Sequence, residues 1–301
     1  MMPLDLTTII LTYNEELHIL RCLENVSPIS QRVIVVDCFS TDQTCEICKD
    51  FPNVEVIQHA WPGDQATQYN WAIDTIPIDT AWIMRIDADE YLLPELVEEL
   101  TEKLPSLPDD VTGIELKRRH IFMSKWVKHG IYPVIMLRLC RTGCGRYEPR
   151  LMDEHYVLTK GRSVVFENDF CDHSLITLSE YCIKHVKYAQ REAVEILDSK
   201  YGLRSNALAA DGLGDQARKK RSAKGRYNKM PLFWRSFGYF LYRYILRGGF
   251  RDGKEGFLFA FIQGWYYRTM VDGNLLEVRK ACGDDVEKMK AYIQEKYKIS
   301  L

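Results

Sequence analysis

The sequence predicts an α/β fold, a mostly parallel sheet flanked by helices, with a helical extension at its C-terminal end. Three observations carry this reading. Short apolar runs alternate with amphipathic segments over residues 7–86, the pattern of strands joined by crossover helices. Several of those runs end in polar or acidic residues, as strands do when they open onto a ligand crevice. Beyond residue 178 the apolar residues recur at three- and four-residue steps, which is helical spacing.

Residues 7–11 read as the first strand, followed by Thr12, Tyr13, Asn14, Glu15 and Glu16. Asn14 is placed to cap a helix whose first turn holds Glu15 and Glu16 and whose apolar face holds Leu17, Leu20 and Leu23. A second strand over 32–37 ends in Asp37, and Ser40, Thr41 and Asp42 lead into the next helix. Residues 53–57 form a third strand, 65–74 a helix and 81–86 a fourth strand. That strand runs into Asp87, Ala88, Asp89 and Glu90, and Pro94 and Glu95 open the helix after it.

Asp87 and Asp89 are two apart, so on extended chain their side chains point the same way. Two converging carboxylates at a sheet mouth make a hard oxygen site for Mg²⁺ or Mn²⁺ that leaves positions open for phosphate oxygens. A solvated acidic turn before a helix is the plainer reading of that pair taken alone. There is no G-x-G-x-x-G and no G-x-x-x-x-G-K, which argues against a nicotinamide site and a P-loop.

The chain is long enough for one large domain or two smaller ones at 301 residues. A net charge of −2 argues against a dedicated nucleic-acid binder. No run of 18 apolar residues occurs, so no spanning helix is predicted, and the first residues lack the pattern of a signal peptide. The nine cysteines are then expected as free thiols, including the C-x-x-C pair Cys45 and Cys48, which falls at helical spacing.

Taken together, Ile9 to Glu16, Val35-Val36-Asp37 with Ser40-Thr41-Asp42, and Asp87-Ala88-Asp89-Glu90 resemble the signature set of family 2 glycosyltransferases. These are inverting, nucleotide-sugar-dependent enzymes of GT-A fold. The likeness is to the bacterial branch that includes lipopolysaccharide core β-glucosyltransferases. The resemblance implies that Thr12, Tyr13 and Glu15 border the nucleotide and that Asp37 contacts its base or ribose. It further implies that Asp87 serves the ribose and Asp89 the metal-bound diphosphate. The position after Asp37, often a second acid in the family, is Cys38 here, which leaves the base identity open.

Residues 113–116 and 134–139 read as further strands, and Trp126 and Tyr132 between them are either stacking partners for an acceptor sugar or rim aromatics. Asp153 and Glu154 look like the acidic motif in which the family keeps its base; adjacent residues point apart, so one of them acts, with Glu154 preferred. An inverting transfer needs such a carboxylate to take the acceptor proton. His173, after a short strand over 163–166, is read as a further metal or diphosphate contact by likeness to other GT-A enzymes, or else as a structural histidine.

The expected organisation is a catalytic domain over 1–200, a basic loop or linker over 201–230 and a helical extension over 231–301. Ser179 is expected to cap a long helix that runs to residue 197. The basic run of Arg218, Lys219, Lys220 and Arg221 suits a mobile loop, a surface helix facing anionic lipid, or a solvated linker. The aromatic segment over 231–247, with Arg235 and Arg243, fits an interfacial helix or a buried helical pair. The branch also carries a segment like Arg251-Asp252-Gly253 with Gly256-Phe257. The function expected is transfer of a sugar, UDP-linked by preference, to a lipid-linked or other envelope glycan such as lipopolysaccharide or capsule. The place expected is the cytoplasm, with peripheral contact to anionic membrane. The rivals are a non-catalytic nucleotide-sugar-binding or membrane scaffold of the same fold, and a nucleotidyltransferase.

Overall fold

A computed structural model describes residues 2–148, 150–152, 154–204 and 215–301, with the backbone alone over 215–221. Four parallel strands form the first block: β1 (Leu4–Thr12), β2 (Ser30–Asp37), β3 (Val54–Gln58) and β4 (Trp82–Arg85), in the order β3-β2-β1-β4. The centres of β1, β2 and β4 are buried on both faces, as in strands covered on both sides, while the edge strand β3 leaves Glu55 exposed. Helices α1 (Ile19–Val26) and α2 (Thr44–Cys48) join the first three strands, and α3 (Gln65–Thr75) precedes β4.

After β4 the chain turns sharply. It crosses to the far edge as β5 (Glu90–Leu92), then continues through α4 (Pro94–Lys103), β6 (Val111–Phe122), β7 (Lys125–Trp126) and β8 (Val134–Arg141). The hairpin β9 (Gly145–Tyr147) and β10 (Tyr156–Leu158) leads to β11 (Arg162–Asp172). Strand β8 enters antiparallel between β4 and β6, β11 lies parallel to β6, and β5 closes the edge antiparallel to β11. The last pairing sets Glu90 opposite Asp172.

One core lies beneath α1 and α4, with Ile19, Leu23, Leu96 and Leu100 against Ile10, Val35 and Leu116. The opposite face packs Tyr69 and Ala72 of α3 against Ile9, Ile34, Tyr147 and Tyr156. A third apolar cluster joins α5 (Leu178–Tyr201), α9 (Tyr267–Cys282) and α10 (Val286–Tyr292).

Local chemistry corrects two boundaries. Thr177, not Ser179, caps α5: its hydroxyl accepts from Glu180 N while the Glu180 carboxylate accepts from Thr177 N, a capping box. Asn14 caps nothing. It holds a left-handed conformation (φ 56°), and α1 starts only at Ile19. Within 201–230 the structure forms a helix, α6 (Asp215–Asn228), of residues that are mostly good helix formers. The side chains of Arg218, Lys219, Lys220 and Arg221 lie outside those described.

The C-terminal extension continues as α7 (Trp234–Leu241), a π-helical turn Tyr242–Leu246, a 3₁₀ turn Gly249–Asp252, α8 (Gly253–Ala260), a second π-helical turn and α9. It is clasped to the loop before β8. Asp252 accepts from His129 N at 2.7 Å and from His129 Nδ1 at 2.6 Å. Gly130 (φ 86°) lies so close that a Cβ there would stand 2.9 Å from the Arg243 carbonyl oxygen.

Candidate active site

The carboxyl ends of β1, β2 and β4 open onto one crevice, and two loops are sewn together at its rim. Asp37 at the end of β2 is fully buried. It accepts from Thr12 Oγ1 at 3.0 Å, from Ser40 N at 2.8 Å and from Ser40 Oγ at 2.5 Å. Burial pushes its carboxyl up, but the hydrogen bonds from Ser40 and Thr12 outweigh it and hold the group below the usual range.

The loop after β1 repeats this pattern. Asn14 Oδ1 accepts from Thr41 N at 2.8 Å, Glu15 N donates to Thr44 Oγ1 at 2.7 Å, and Glu16 N donates to Asp42 Oδ2 at 3.0 Å. The polar residues between strands and helices thus tie one strand end to the next. Tyr13, which follows Thr12, is 60% exposed and stands outside the residues that line the cleft.

Asp87 and Asp89 both line the cleft, but a turn brings them there and not an extended strand: Glu90 N donates to Asp87 O at 2.9 Å. Glu90 braces that turn. Its carboxylate accepts from Asp87 N at 2.9 Å and from Arg138 Nη2 at 2.5 Å. The backbone oxygen of Asp89 accepts from His173 N at 3.0 Å and from Arg21 Nη2 at 3.1 Å, which fixes the turn against the end of β11.

The two acids differ in charge environment. Burial pushes the Asp87 carboxyl up, but Arg85 at 3.1 Å and Arg138 at 3.7 Å hold it below its ordinary value. Asp89 makes no side-chain hydrogen bond or ion pair among the described residues. Burial, then the charge of Asp172, then that of Asp87 push it up to about 7. Asp172 is a site residue that sequence reasoning passed over; its signal was an acid beside His173 at a strand end. It pairs with His120 Nδ1 at 3.2 Å and Arg118 at 3.5 Å, which keep it ionised.

This repulsion among Asp87, Asp89 and Asp172 is what a divalent cation relieves, and the donors are hard oxygens, so the residues fit Mg²⁺ or Mn²⁺. Among the described residues no three ligand-type side chains are close enough to hold an ion alone. The Nδ1 atom of His173 lies 3.1 Å from Arg21 Nη1, and burial and Arg21 hold the imidazole below its ordinary range. An ion at His173 therefore requires the ring to turn away from Arg21.

Helix α5 supplies the facing wall, with Lys184 set toward Asp89 and Glu15. Burial draws its ammonium down, but Tyr188, Asp89 and Glu15 outweigh that and hold it charged. Glu15 lines the cleft and accepts from His18 Nδ1 at 2.7 Å. Glu154 also lines the cleft, within electrostatic reach of Arg85. Its neighbour Asp153 lies outside the described residues. The cleft they enclose has a volume of about 550 Å³, within the usual range for a small-molecule site.

Trp126 and Tyr132 stand outside the cleft lining, edge to face at 5.3 Å, with Arg119 over the indole and the Tyr132 hydroxyl donating to Asp169. Cys45 and Cys48 sit on α2. Burial and the Asp37 charge push Cys45 up to about 11, and burial pushes Cys48 up to about 12, the reverse of what a redox pair needs.

The glycosyltransferase SunS of Bacillus subtilis is 39% identical over 87 residues, 29% of this chain and 20% of that protein. The lipopolysaccharide core biosynthesis glycosyltransferase LpsC of Rhizobium meliloti is 27% identical over 150 residues, 48% of this chain and 54% of that one. The chain thus spans between a fifth and about half of the length of these curated relatives. Among solved structures, the mannosyltransferase PcManGT of Pyrobaculum calidifontis, in complex with GDP-Man and Mn²⁺, superposes with a TM-score of 0.50 at 14% identity. That match covers 92% of this chain and 87% of the other, and shows a shared GT-A fold. The model of Glycosyl transferase family 2 matches residues 7–165, more than half of the chain, a span that includes Asp37, Asp87, Asp89 and Glu154. The chain belongs to that family.

Proposed function

We propose that the protein transfers a sugar, with inversion, from a nucleoside diphosphate donor to a hydroxyl of a cell-envelope glycan, and that the donor is a UDP-sugar. The observation that carries this is that Asp87, Asp89, Asp172 and Glu154 line one cleft, with Asp37 buried at the end of β2. Asp37, held ionised by Thr12 and Ser40, would accept from the nucleoside, with Tyr13 and Glu15 bordering it. Asp87, oriented by Arg85 and Arg138, would accept from the ribose.

Asp89, with Asp172 near it and His173 in its turned conformation, would hold Mg²⁺ or Mn²⁺. The bound cation would offset the charge that grows on the departing diphosphate. Lys184 would meet the same phosphates from α5 and add a fixed positive charge. Glu154 would accept the proton of the acceptor hydroxyl as its oxygen forms the new bond to the anomeric carbon. The bond from that carbon to the diphosphate oxygen breaks as the new one forms, and the electron pair leaves with the nucleoside diphosphate. The likeness to LpsC supports an acceptor of the lipopolysaccharide type.

Titration calorimetry with a panel of nucleoside diphosphate sugars, with Mn²⁺ and then with chelator, tests this reading. It expects metal-dependent binding of one donor, lost in Asp89→Ala. Failure of every donor in the presence of metal would sink it.

A further inference from the structure

The C-terminal extension contains a helix that buries charge and exposes large apolar groups. On α7 and its π-helical turn, two arginines share the buried face with Ser236 and Phe240. Arg235 is 1% exposed and pairs with Asp272 at 2.5 Å, and Arg243 is buried above the Phe259 ring. The outward face carries the apolar side chains. Trp234 is 75% exposed, Ile245 53% and Leu246 77%. With Gly238 and Tyr242 they recur at three- and four-residue steps along one side of the helix. In water, both halves of this arrangement cost free energy: charge is desolvated inside while large apolar groups are left wet outside.

We propose that this outward face is a docking surface for an anionic lipid bilayer. Phe250 and Phe257, which follow in the chain and are about half exposed, add further apolar surface, 6.3 Å and 5.5 Å from the Tyr244 ring. Lys229, Arg247, Arg251 and Lys254, exposed, flank these residues in sequence. The acids of the same stretch do not offset them, because Asp252 is buried against His129 and Glu255 pairs with Lys125 at 3.0 Å. An apolar ridge flanked in sequence by cations matches the acyl boundary and headgroups of an anionic membrane. No helix among the described residues is long and apolar enough to cross a membrane, so the contact is in the plane of the interface.

The orientation has a use. Phe259 and Gln263, which follow in the same helical layer, line the active-site cleft. The clasp between Asp252 and His129 holds that layer fixed against the catalytic sheet. A chain resting on its α7 face keeps the cleft at a set distance from the lipid surface. The inference does not depend on the identity of donor or acceptor, and its failure leaves the transfer reading untouched.

The test is co-sedimentation of the full chain with vesicles of phosphatidylcholine alone and with vesicles that also contain phosphatidylglycerol. The chain is expected on the anionic vesicles, and less so as salt rises. Leu246→Glu should weaken partition about tenfold or more, and Arg247→Glu with Arg251→Glu by a similar factor. These side chains are exposed, so thermal unfolding should be unchanged; Trp234→Ser is the second apolar variant. A wild-type chain that stays in the supernatant with both vesicles overturns the proposal. So does a Leu246→Glu variant that sediments as wild type does. A concentration-dependent dimer that Leu246→Glu dissociates, with no vesicle binding, would assign the face to a second copy of the chain instead.

Discussion

Thr12 Oγ1 donates to Asp37 Oδ1 at 3.0 Å across the ends of two neighbouring parallel strands, and both residues are buried. The register that pairs Thr12 with Asp37 makes the bond possible, so the sheet itself presets the carboxylate. Thr12→Val keeps the shape and removes a donor to a charged acceptor, a loss of about 1.5–3 kcal/mol. Urea denaturation should show that loss, and calorimetry should show donor affinity lowered by about tenfold or more.

Glu154→Gln keeps size and polarity but cannot take a proton. Turnover should fall by about 100- to 10,000-fold while the dissociation constant of the donor stays within a factor of about two. Steady-state rates beside donor titration separate the two effects. Equal losses in both would place Glu154 in donor binding and not in proton transfer.

Asp89 gives the site a pH signature. Its folded pKa is raised to about 7 from an unfolded value near 3.9. In the metal-free chain this group therefore contributes stability below about pH 4, and that contribution is lost as pH rises through about 7. A cation binds the ionised form, so stabilisation by Mn²⁺ should grow as pH rises to about 7 and level off above it. Thermal unfolding with and without Mn²⁺ across this window checks it. Asp89→Asn should flatten both trends.

Asp272→Ala leaves the Arg235 guanidinium buried without its partner. It should destabilise the chain by about 3–5 kcal/mol, whereas replacing both residues with apolar ones of similar volume should cost far less. Chemical denaturation of the single and double variants distinguishes these outcomes. The Phe233 N–H also donates to Asp272, so part of the single-variant cost lies in the entry to α7.

The strand–helix alternation was readable because each strand of the first block is apolar in its own right. The acids Asp37, Asp87 and Asp89 were readable because they sit where such strands stop. What failed locally was decided from far away in the chain. Asn14 has the side chain of a cap, but its partner is Thr41, in the loop after the next strand. Asp172 joins the site only because β5 pairs with β11, a contact that no local pattern announces. Arg235 and Arg243 fit a lipid-facing rim by composition, yet both turn inward, one to meet an aspartate on α9 and the other to lie over an aromatic ring.

The fit of Gly130 and Gly249 against the Arg243 carbonyl, beside the Asp252–His129 clasp, constrains how this protein can be re-engineered. A chimaera that takes everything after residue 230 from a relative, but keeps the native 126–133 loop, would bring mismatched surfaces to a contact with no slack. The two segments would then be inherited as a matched pair. Recombination libraries with crossovers that keep the two together should yield folded chains far more often than libraries that split them.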